Sequence, residues 1–365
     1  MTSKKQPLVS VIILNYNGQK IIEHCLNSVL KSTYKPIDII LVDNNSDLQE
    51  TKQLKRKYRN KINFIRTGRN LGYAGGNNLG AANANGKYLV FLNNDTQTTP
   101  NWLEHPIKKM EADSKIGFLQ PKIRWLLHKN YFEYCGGCGG FIDFFGFPFT
   151  RGRIFGSIEE DIGQYDDGRR IFWATGAVLF CRRKTFEILG GFDSYFFAQV
   201  EDEDISFRAL RAGYHNIYDP KSLVYHLGSF TGGRNTYNKT FFNYRNHLVL
   251  LIKNLSVREL IFVLPVKIFF DFLASWYYLF FFQSWKMFRG VWSAYLFFLF
   301  DFHNILYERR HDSIKNFGYP KGNSLVYYGS IIFQCYLLGR KRWGKIFLGK
   351  DYQTKIINLF SGRIF

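Results

Sequence analysis

The sequence predicts an α/β fold, with a mostly parallel sheet flanked by helices and a helical, aromatic-rich region at the C-terminal end. Two observations support this prediction. In the first half, short apolar runs alternate with segments of helical periodicity, the pattern typical of parallel strands joined by helices. Beyond about residue 255 the chain changes to long apolar and aromatic stretches. We therefore expect an α/β domain at residues 1–250 and a helical, basic region at residues 251–365.

Four apolar runs, at 9–14, 37–42, 62–65 and 88–92, are predicted to be strands of the sheet. Three of them end in polar residues: Asn15-Tyr16-Asn17-Gly18, Asp43-Asn44-Asn45-Ser46 and Asn93-Asn94-Asp95. Because α/β sheets bind ligands at the carboxyl ends of their strands, these polar ends predict a binding crevice. After the second run, Ser46 and Gln49 have the spacing of a capping box.

The middle of the chain is less regular. A Gly- and Phe-rich stretch from about residue 132 has no clean period, and we expect a long ordered insertion there. Regular patterns return with a strand at 172–181 and an amphipathic helix at about 202–212.

Three interpretations of the C-terminal region remain open. Residues 268–285 are 18 residues with one charge, Asp271, which is close to the length of a membrane-spanning helix. Lys267 and Asp271 would be costly in a central span. Aromatic helices lying on a membrane surface, with a basic flank toward lipid phosphates, are the second interpretation. A packed helical domain or oligomer interface is the third. The basic flank comprises Lys286, Arg289, Arg309, Arg310, Arg340, Lys341, Arg342 and Lys345, interspersed with Trp285, Trp292 and Trp343.

The charge balance narrows the class of partner. The chain has 49 Lys and Arg against 29 Asp and Glu, a net charge of +20, which suggests an anionic partner. We expect no nucleic acid, because the basic residues concentrate in the tail and no nucleic-acid motif is present. The N-terminus resembles the start of a strand, so we expect no secretory signal.

Several polar groups are candidates for chemistry. Asp95, at a strand end, could hold Mg²⁺ or Mn²⁺ against a diphosphate, or could merely close a turn. The acidic run Glu201-Asp202-Glu203-Asp204 begins a helix, where a carboxylate could serve as a general base or simply favour the helix dipole. His226 could be a metal ligand or a core histidine. The glycines of Arg69-Asn-Leu-Gly72-Tyr-Ala-Gly75-Gly76-Asn77-Asn78 allow close approach of the backbone to a ligand.

In their order along the chain, these motifs resemble the family 2 glycosyltransferases of the GT-A fold. The resemblance rests on VSVIILNYNG, LVDNNSD, RNLGYAGGNNLG, YLVFLNND, WATGAVLFCRR, LGGFDSYFFAQVEDEDISFRALRAGY and VYH, and extends from about Val9 to His226. The stretch 237–246 is similar to a segment of the membrane-associated, rhamnosyltransferase-like members. Asn93 stands where a stricter D-x-D motif has Asp.

The resemblance implies a role for each matching position. Asp202 would be the catalytic base, with Glu203 or Asp204 as alternatives. A divalent cation, Mg²⁺ or Mn²⁺, would bind Asp95 and His226. The acceptor side would comprise Trp173, Gly176, Ala177 and Glu201. The nucleotide-sugar donor would contact Asn15, Tyr16, Asn17, Asp43, Arg69, Asn77, Asn78 and Asn94.

The implied function is inverting, metal-dependent transfer of a sugar from dTDP-rhamnose or a UDP-hexose to a hydroxyl of a glycan or polyprenyl-linked acceptor. The setting would be cell-surface polysaccharide biosynthesis at the cytoplasmic face of the inner or plasma membrane, with peripheral or monotopic attachment. The alternative is a non-catalytic, membrane-bound nucleotide- or glycan-binding protein with the same fold.

Overall fold

The computed structural model describes residues 6–133, 136–228, 236–320 and 325–347. The strands in this part of the chain are β1 (Val9–Asn15), β2 (Ile37–Asp43), β3 (Asn63–Arg66), β4 (Tyr88–Asn93), β5 (Thr96–Thr98), β6 (Ile116–Trp125), β7 (Gly140–Asp143), β8 (Pro148–Thr150), β9 (Arg153–Ile154), β10 (Ser157–Ile158), β11 (Arg169–Ile171), β12 (Val178–Arg182), β13 (His215–His226) and β14 (Val326–Tyr327). The helices are α1 (Gln19–Leu30), α2 (Leu48–Tyr58), α3 (Gly72–Ala82), α4 (Glu104–Ala112), α5 (Arg183–Ile188), α6 (Glu201–Arg211), α7 (Tyr237–Asn254), α8 (Val257–Phe280), α9 (Trp285–His311) and α10 (Trp343–Ile346).

The main sheet has the order β11-β13-β6-β12-β4-β1-β2-β3, with β5 paired to β13. Strands β4, β1, β2 and β3 are parallel, as predicted. However, β12 runs antiparallel to both β4 and β6, so the sheet is mixed rather than mostly parallel. Successive residues of β1 alternate between two apolar clusters: Ile12 belongs to one, and Val11 and Ile13 to the other. Both faces of the sheet are therefore covered, which explains the continuous apolar runs.

Two local predictions are wrong. The strand predicted at 172–181 begins only at Val178 with β12, because residues 172–177 form the loop that joins β11 to β12. The capping box at Ser46 does not form, because Asp47 caps α2 by accepting hydrogen bonds from the backbone N–H groups of Gln49 and Glu50. The ordered insertion expected after residue 132 contributes four strands to a second small sheet, β10-β9-β8-β7-β14, whose fifth strand, β14, comes from the C-terminal region.

Two long helices, α8 and α9, dominate the C-terminal region. Helix α8 ends at Phe280, so the apolar stretch predicted at 268–285 continues past the end of the helix. Within the described residues, α8 is the one helix with the length and composition to cross a membrane. Trp343 is buried against Phe141 and Phe149 of the second sheet, and so is not part of an exposed basic flank. The expected domain boundary at residue 250 falls within α7 and stays a prediction.

Candidate active site

Asp95 and His226 form the first pair of the site. Asp95 follows β4, and His226 ends β13, which pairs with β5 directly after Asp95. His226 Nε2 lies 2.9 Å from Asp95 Oδ1, and both residues are buried. Glu133 lies on the other side of the imidazole, with its Oε2 3.1 Å from His226 Nδ1. The sequence motifs did not indicate Glu133, since it stands alone in an irregular segment.

The charges of this pair depend on each other. Burial alone would raise the pKa of Asp95, but the neighbouring His226 lowers that pKa below its usual range. Burial opposes a charge on His226, yet Asp95 and Glu133 together raise its pKa well above the usual value. A protonated His226 therefore offsets part of the negative charge of this buried cluster.

Asp202 lies at the second position of α6 and faces the loop between β11 and β12. Its Oδ2 accepts a 2.6 Å hydrogen bond from the backbone N–H of Gly176. Burial, followed by the charge of Glu203, raises the pKa of Asp202 to about 6. Glu201 is 5% exposed, and its Oε2 has no hydrogen-bond partner among the described residues. Burial, followed by the charge of Asp202, raises the pKa of Glu201 well above its usual range, which favours the uncharged form of its carboxyl group.

The other two carboxylates of the acidic run are directed elsewhere. Asp204 is fully buried and binds Arg208, with 2.7 Å between Asp204 Oδ2 and Arg208 Nε. Asp204 Oδ1 also accepts a 3.0 Å hydrogen bond from Asn254. Glu203 Oε2 lies 3.3 Å from Nε2 of His247 on α7. Among the four, Asp202 is the carboxylate bonded to the loop at the crevice.

Gly176 and Ala177 connect Asp202 with the Asp95–His226 pair. The Ala177 carbonyl accepts a 3.0 Å hydrogen bond from the N–H of Asn93, and the Asn93 side-chain nitrogen lies 3.3 Å from His226 Nε2. The Gly176 carbonyl accepts a 2.6 Å hydrogen bond from the Tyr73 hydroxyl of α3. A Cβ on Gly176 would lie 2.7 Å from that hydroxyl, so the close approach requires glycine. The glycine-rich helix therefore meets the acidic run at Gly176.

The predicted donor-binding residues of β1 and β2 lie at adjacent strand ends. Asn15 accepts a 2.9 Å hydrogen bond from Asn94, which places this edge next to Asp95. Ser46, which the capping prediction had assigned to α2, instead accepts a 2.9 Å hydrogen bond from the N–H of Asn17. Tyr16 is 44% exposed beside them. These side chains thus line one end of the crevice.

Asp43 is held in place by hydrogen bonds from neighbouring side chains. Its Oδ2 accepts hydrogen bonds from Arg66 (2.5 Å) and Thr51 (2.8 Å), and it is 2% exposed. Asn44 accepts a 2.9 Å hydrogen bond from the N–H of Leu71 and so connects β2 to the start of α3. The sequence motifs did not indicate Asn44 as a site residue. In this structure Asp43 shapes the strand end, and its contact with a ligand stays a prediction.

The remaining predicted site residues take no part in the hydrogen bonds described above. Arg69 is exposed in the loop before α3. Asn77 donates to the Tyr73 carbonyl within its own helix, at 3.0 Å. The Asn78 amide makes two bonds with the backbone of Phe192, at 2.7 and 2.9 Å. The Trp173 indole donates to the Phe141 carbonyl at 3.0 Å and packs into the second sheet.

The architecture is that of an α/β ligand-binding protein, with polar and acidic groups gathered at the carboxyl ends of its strands. Comparison with known proteins identifies it further. Residues 10–131 match the sequence profile of the family described as Glycosyl transferase family 2. The chain therefore contains a family 2 glycosyltransferase domain, and the resemblance seen in the sequence is confirmed.

Relatives and solved structures agree with this assignment. The chain is 27% identical over 223 residues to the O-antigen biosynthesis protein RfbC of Myxococcus xanthus, covering 60% of this chain but only 17% of that protein. It is 24% identical over 241 residues to the N-acetylglucosaminyl-diphospho-decaprenol L-rhamnosyltransferase of Mycobacterium tuberculosis, covering 62% of this chain and 78% of that protein. The crystal structure of GalNAc-T7 with UDP, GalNAc and Mn²⁺ superposes with a TM-score of 0.57 at 18% identity, covering 70% of this chain and 49% of that one. The fold is thus GT-A.

Proposed function

We propose that the protein is an inverting, metal-dependent glycosyltransferase. It would move a sugar from a nucleoside-diphosphate donor to a hydroxyl of a glycan or lipid-linked acceptor in cell-surface polysaccharide biosynthesis. The observation that carries the proposal is the junction at Gly176 and Ala177. Through it, the Asp95–His226 pair, the glycine-rich helix α3 and the carboxylate of Asp202 converge on one crevice.

The residues present fit a divalent cation. Asp95 Oδ1 and His226 Nε2, 2.9 Å apart, are spaced as two ligands of one ion would be. Within the described part of the chain, no group of three or more His, Cys, Asp and Glu side chains is arranged to hold a metal. Mg²⁺ and Mn²⁺ sites that share their ion with substrate phosphates need only one or two protein carboxylates. When bound, such an ion would neutralise the charge of the leaving nucleoside diphosphate.

Asp202 would take the proton of the acceptor hydroxyl. A pKa of about 6 keeps it mostly ionised at neutral pH and basic enough to accept a proton as the new bond forms. The backbone N–H of Gly176 donates a hydrogen bond to one oxygen of Asp202, so the carboxylate is oriented before the acceptor binds. Direct attack by the acceptor on the anomeric carbon inverts its configuration and requires no enzyme nucleophile.

The names of the relatives support a lipid-linked acceptor and a rhamnosyl donor. The Mycobacterium relative is a rhamnosyltransferase for a decaprenol-linked diphospho-sugar. We keep dTDP-rhamnose as the first candidate donor. A UDP-hexose is the second, because GalNAc-T7 was solved with UDP.

The hairpin of α8 and α9 would bring this acceptor within reach by docking on a membrane surface. Its polar groups face the protein: Lys267 Nζ lies 2.6 Å from Asp271, which also accepts from Tyr295. Many of its apolar groups face outward, and the most exposed are Val257, Ile261, Phe280, Phe281, Leu299 and Phe300. Exposed Lys286 and Arg289 lie beside Trp285, matching the anionic headgroups of a cytoplasmic leaflet.

Thermal unfolding with dTDP, UDP and GDP, each with and without Mn²⁺, tests the donor site. A nucleotide present at 100 times its dissociation constant stabilises the folded state by about 2.7 kcal/mol. We expect one nucleotide to raise the melting temperature only when Mn²⁺ is present. The matched control is Asp95→Asn, which should lose the Mn²⁺ dependence. The absence of a shift with any nucleotide would favour the non-catalytic alternative.

Flotation with lipid vesicles tests the docking surface. We expect the full-length protein to float with phosphatidylglycerol vesicles and to bind phosphatidylcholine vesicles far less. Failure to float, together with a dimer in sedimentation, would instead assign the hairpin to an interface with a second copy of this chain.

A further inference from the structure

The segment between α5 and α6, residues 193–200, has an unusual backbone. Phe197, Gln199 and Val200 have φ values of 59°, 71° and 74°, a left-handed region that non-glycine residues rarely adopt. Val200 is the least expected of them, because a branched Cβ crowds the backbone there. Each such residue is unfavourable by about 1–3 kcal/mol and persists only where the surroundings hold it in place.

This segment lies between the two halves of the proposed site. Val200 directly precedes α6, whose second residue is Asp202. The carbonyl of Phe197 accepts hydrogen bonds from the first N–H groups of α3, those of Tyr73 (2.6 Å) and Ala74 (3.2 Å). A displacement of the segment would therefore move both Asp202 and the start of the glycine-rich helix.

Asn246 of α7 holds the segment from the other side. Its side chain is fully buried, and its Nδ2 lies within hydrogen-bond distance of three carbonyls, those of Phe196 (2.9 Å), Ala198 (2.8 Å) and Gln199 (2.6 Å). The Phe196 carbonyl also accepts a 2.7 Å hydrogen bond from the N–H of Ala198 within the segment, whereas the carbonyls of Ala198 and Gln199 are bonded by Asn246.

Arg245 completes the arrangement. Its Nη2 donates to the carbonyls of Tyr195 (2.7 Å) and Phe196 (3.1 Å), and its Nε donates to Asn246 Oδ1 at 2.7 Å. The guanidinium lies over the rings of Tyr195 and Phe297, the latter on α9. With the Phe197 carbonyl bonded to α3, every carbonyl from residue 195 to 199 has a partner on α3 or α7.

We propose that Asn246, supported by Arg245, is a positioning residue that imposes the strained conformation of residues 193–200 and thereby sets the placement of Asp202. The inference rests on the proposed function, because it takes Asp202 as the group that removes the proton. Asn246 itself does not touch the crevice, and it acts only through the backbone that it holds.

The test uses Asn246→Ala and Asn246→Ser in the full-length protein. Turnover is followed as release of nucleoside diphosphate from dTDP-rhamnose or a UDP-hexose with a polyprenyl-diphosphate-linked sugar. We expect kcat to fall about 100-fold in Asn246→Ala, since small misplacements of a catalytic group have effects of this size. Asn246→Ser should lose less, because its hydroxyl can still donate to one carbonyl. The KM of the acceptor should change less than threefold.

The pH profile separates positioning from simple destabilisation. If the segment relaxes, water reaches Asp202 and lowers its pKa, which burial raises to about 6, so the pH of half-maximal kcat should move below that of the wild type. The matched control is Asn216→Ala, which removes a fully buried amide that donates to the carbonyls of Phe172 (2.8 Å) and Ser206 (3.0 Å). It loosens α6 without touching residues 193–200, so its pH profile should stay unchanged.

Two results would overturn the inference: a loss of kcat in the Asn246 variants no larger than in Asn216→Ala, or an unshifted pH profile. If Asn246→Ala does not fold, the kcat and the pH profile of Asn246→Ser test the inference instead. The base assignment is checked separately. If Asp202→Asn keeps full turnover, the proposed function fails, whereas an inactive Asp202→Asn with unaffected Asn246 variants rejects only the positioning role. In an Asp202→Asn background, adding Asn246→Ala should have no further effect.

Discussion

The crevice buries polar groups, whereas the C-terminal hairpin exposes apolar ones, so each reverses the usual distribution in a different way. At the crevice, Glu201 and Asp95 are each only 5% exposed, although they carry carboxylates. On the hairpin, Phe300 and Phe281 are 86% and 76% exposed. Both arrangements are unfavourable for a protein alone in water. In the proposed function, a bound cation would relieve the first arrangement and a lipid surface the second. One chain would then present a polar reaction site beside an apolar docking surface.

The largest expected effect concerns the buried carboxylates. Asp202→Asn should lower kcat by about 10²–10⁴-fold while donor nucleotide binding persists, because only the proton acceptor is lost. Glu201→Gln is the matched control, since burial raises the pKa of the neighbouring Glu201 well above its usual range and an uncharged amide of the same size replaces its carboxyl group. Steady-state assays of both variants provide the measurement. Equal losses in the two would mean that the base is not Asp202.

The metal pair should give the next largest effect. His226→Ala removes one of the two proposed ligands, and we expect Mn²⁺ to be required at concentrations about 10–100-fold higher for the nucleotide-dependent melting shift. Calorimetric titration of Mn²⁺ in the presence of the nucleotide provides the check. Unchanged Mn²⁺ dependence would contradict the assignment of His226 as a ligand.

The pH dependence sharpens the assignment within the crevice. The reaction needs Asp202 deprotonated, and its pKa is raised to about 6, so kcat is retained above that pH and lost as the pH falls through it. At one unit below the pKa, kcat should be about tenfold lower. A profile flat down to pH 4 would show that the working carboxylate has an ordinary pKa and is therefore another residue.

The smallest expected effect concerns the hairpin. Phe300→Ser should weaken binding to phosphatidylglycerol vesicles several-fold, because a single aromatic ring contributes about 1–2 kcal/mol when it leaves water. Its melting temperature in solution should stay unchanged, since the side chain is exposed. Leu127→Ser is the control, because Leu127 is 65% exposed but lies outside the hairpin. Equal vesicle binding by all three proteins would contradict the docking surface.

Much of the fold could be predicted from the sequence because its causes are local. The apolar runs of β1, β2 and β4 are buried on both faces, and periodicity alone indicates this. The capping residue of α2 was predicted one position too early, since Ser46 and Asp47 are equally suited to the role. Only the approach of Asn17 assigns Ser46 to another bond. Likewise, nothing local marks residues 172–177 as a loop rather than a strand, although this loop brings Gly176 to Asp202.

By itself, the sequence determined the four parallel strands β1 to β4, the family and the set of polar residues at the strand ends, because period and motif are properties of neighbours along the chain. Only the tertiary structure decided which carboxylate of the run 201–204 faces Gly176. It also decided that Glu133 joins His226, and that Asn246 binds the backbone of residues 196–199. These contacts join residues 26 to 93 positions apart in the chain, and no local pattern encodes which distant partner a buried polar group will find.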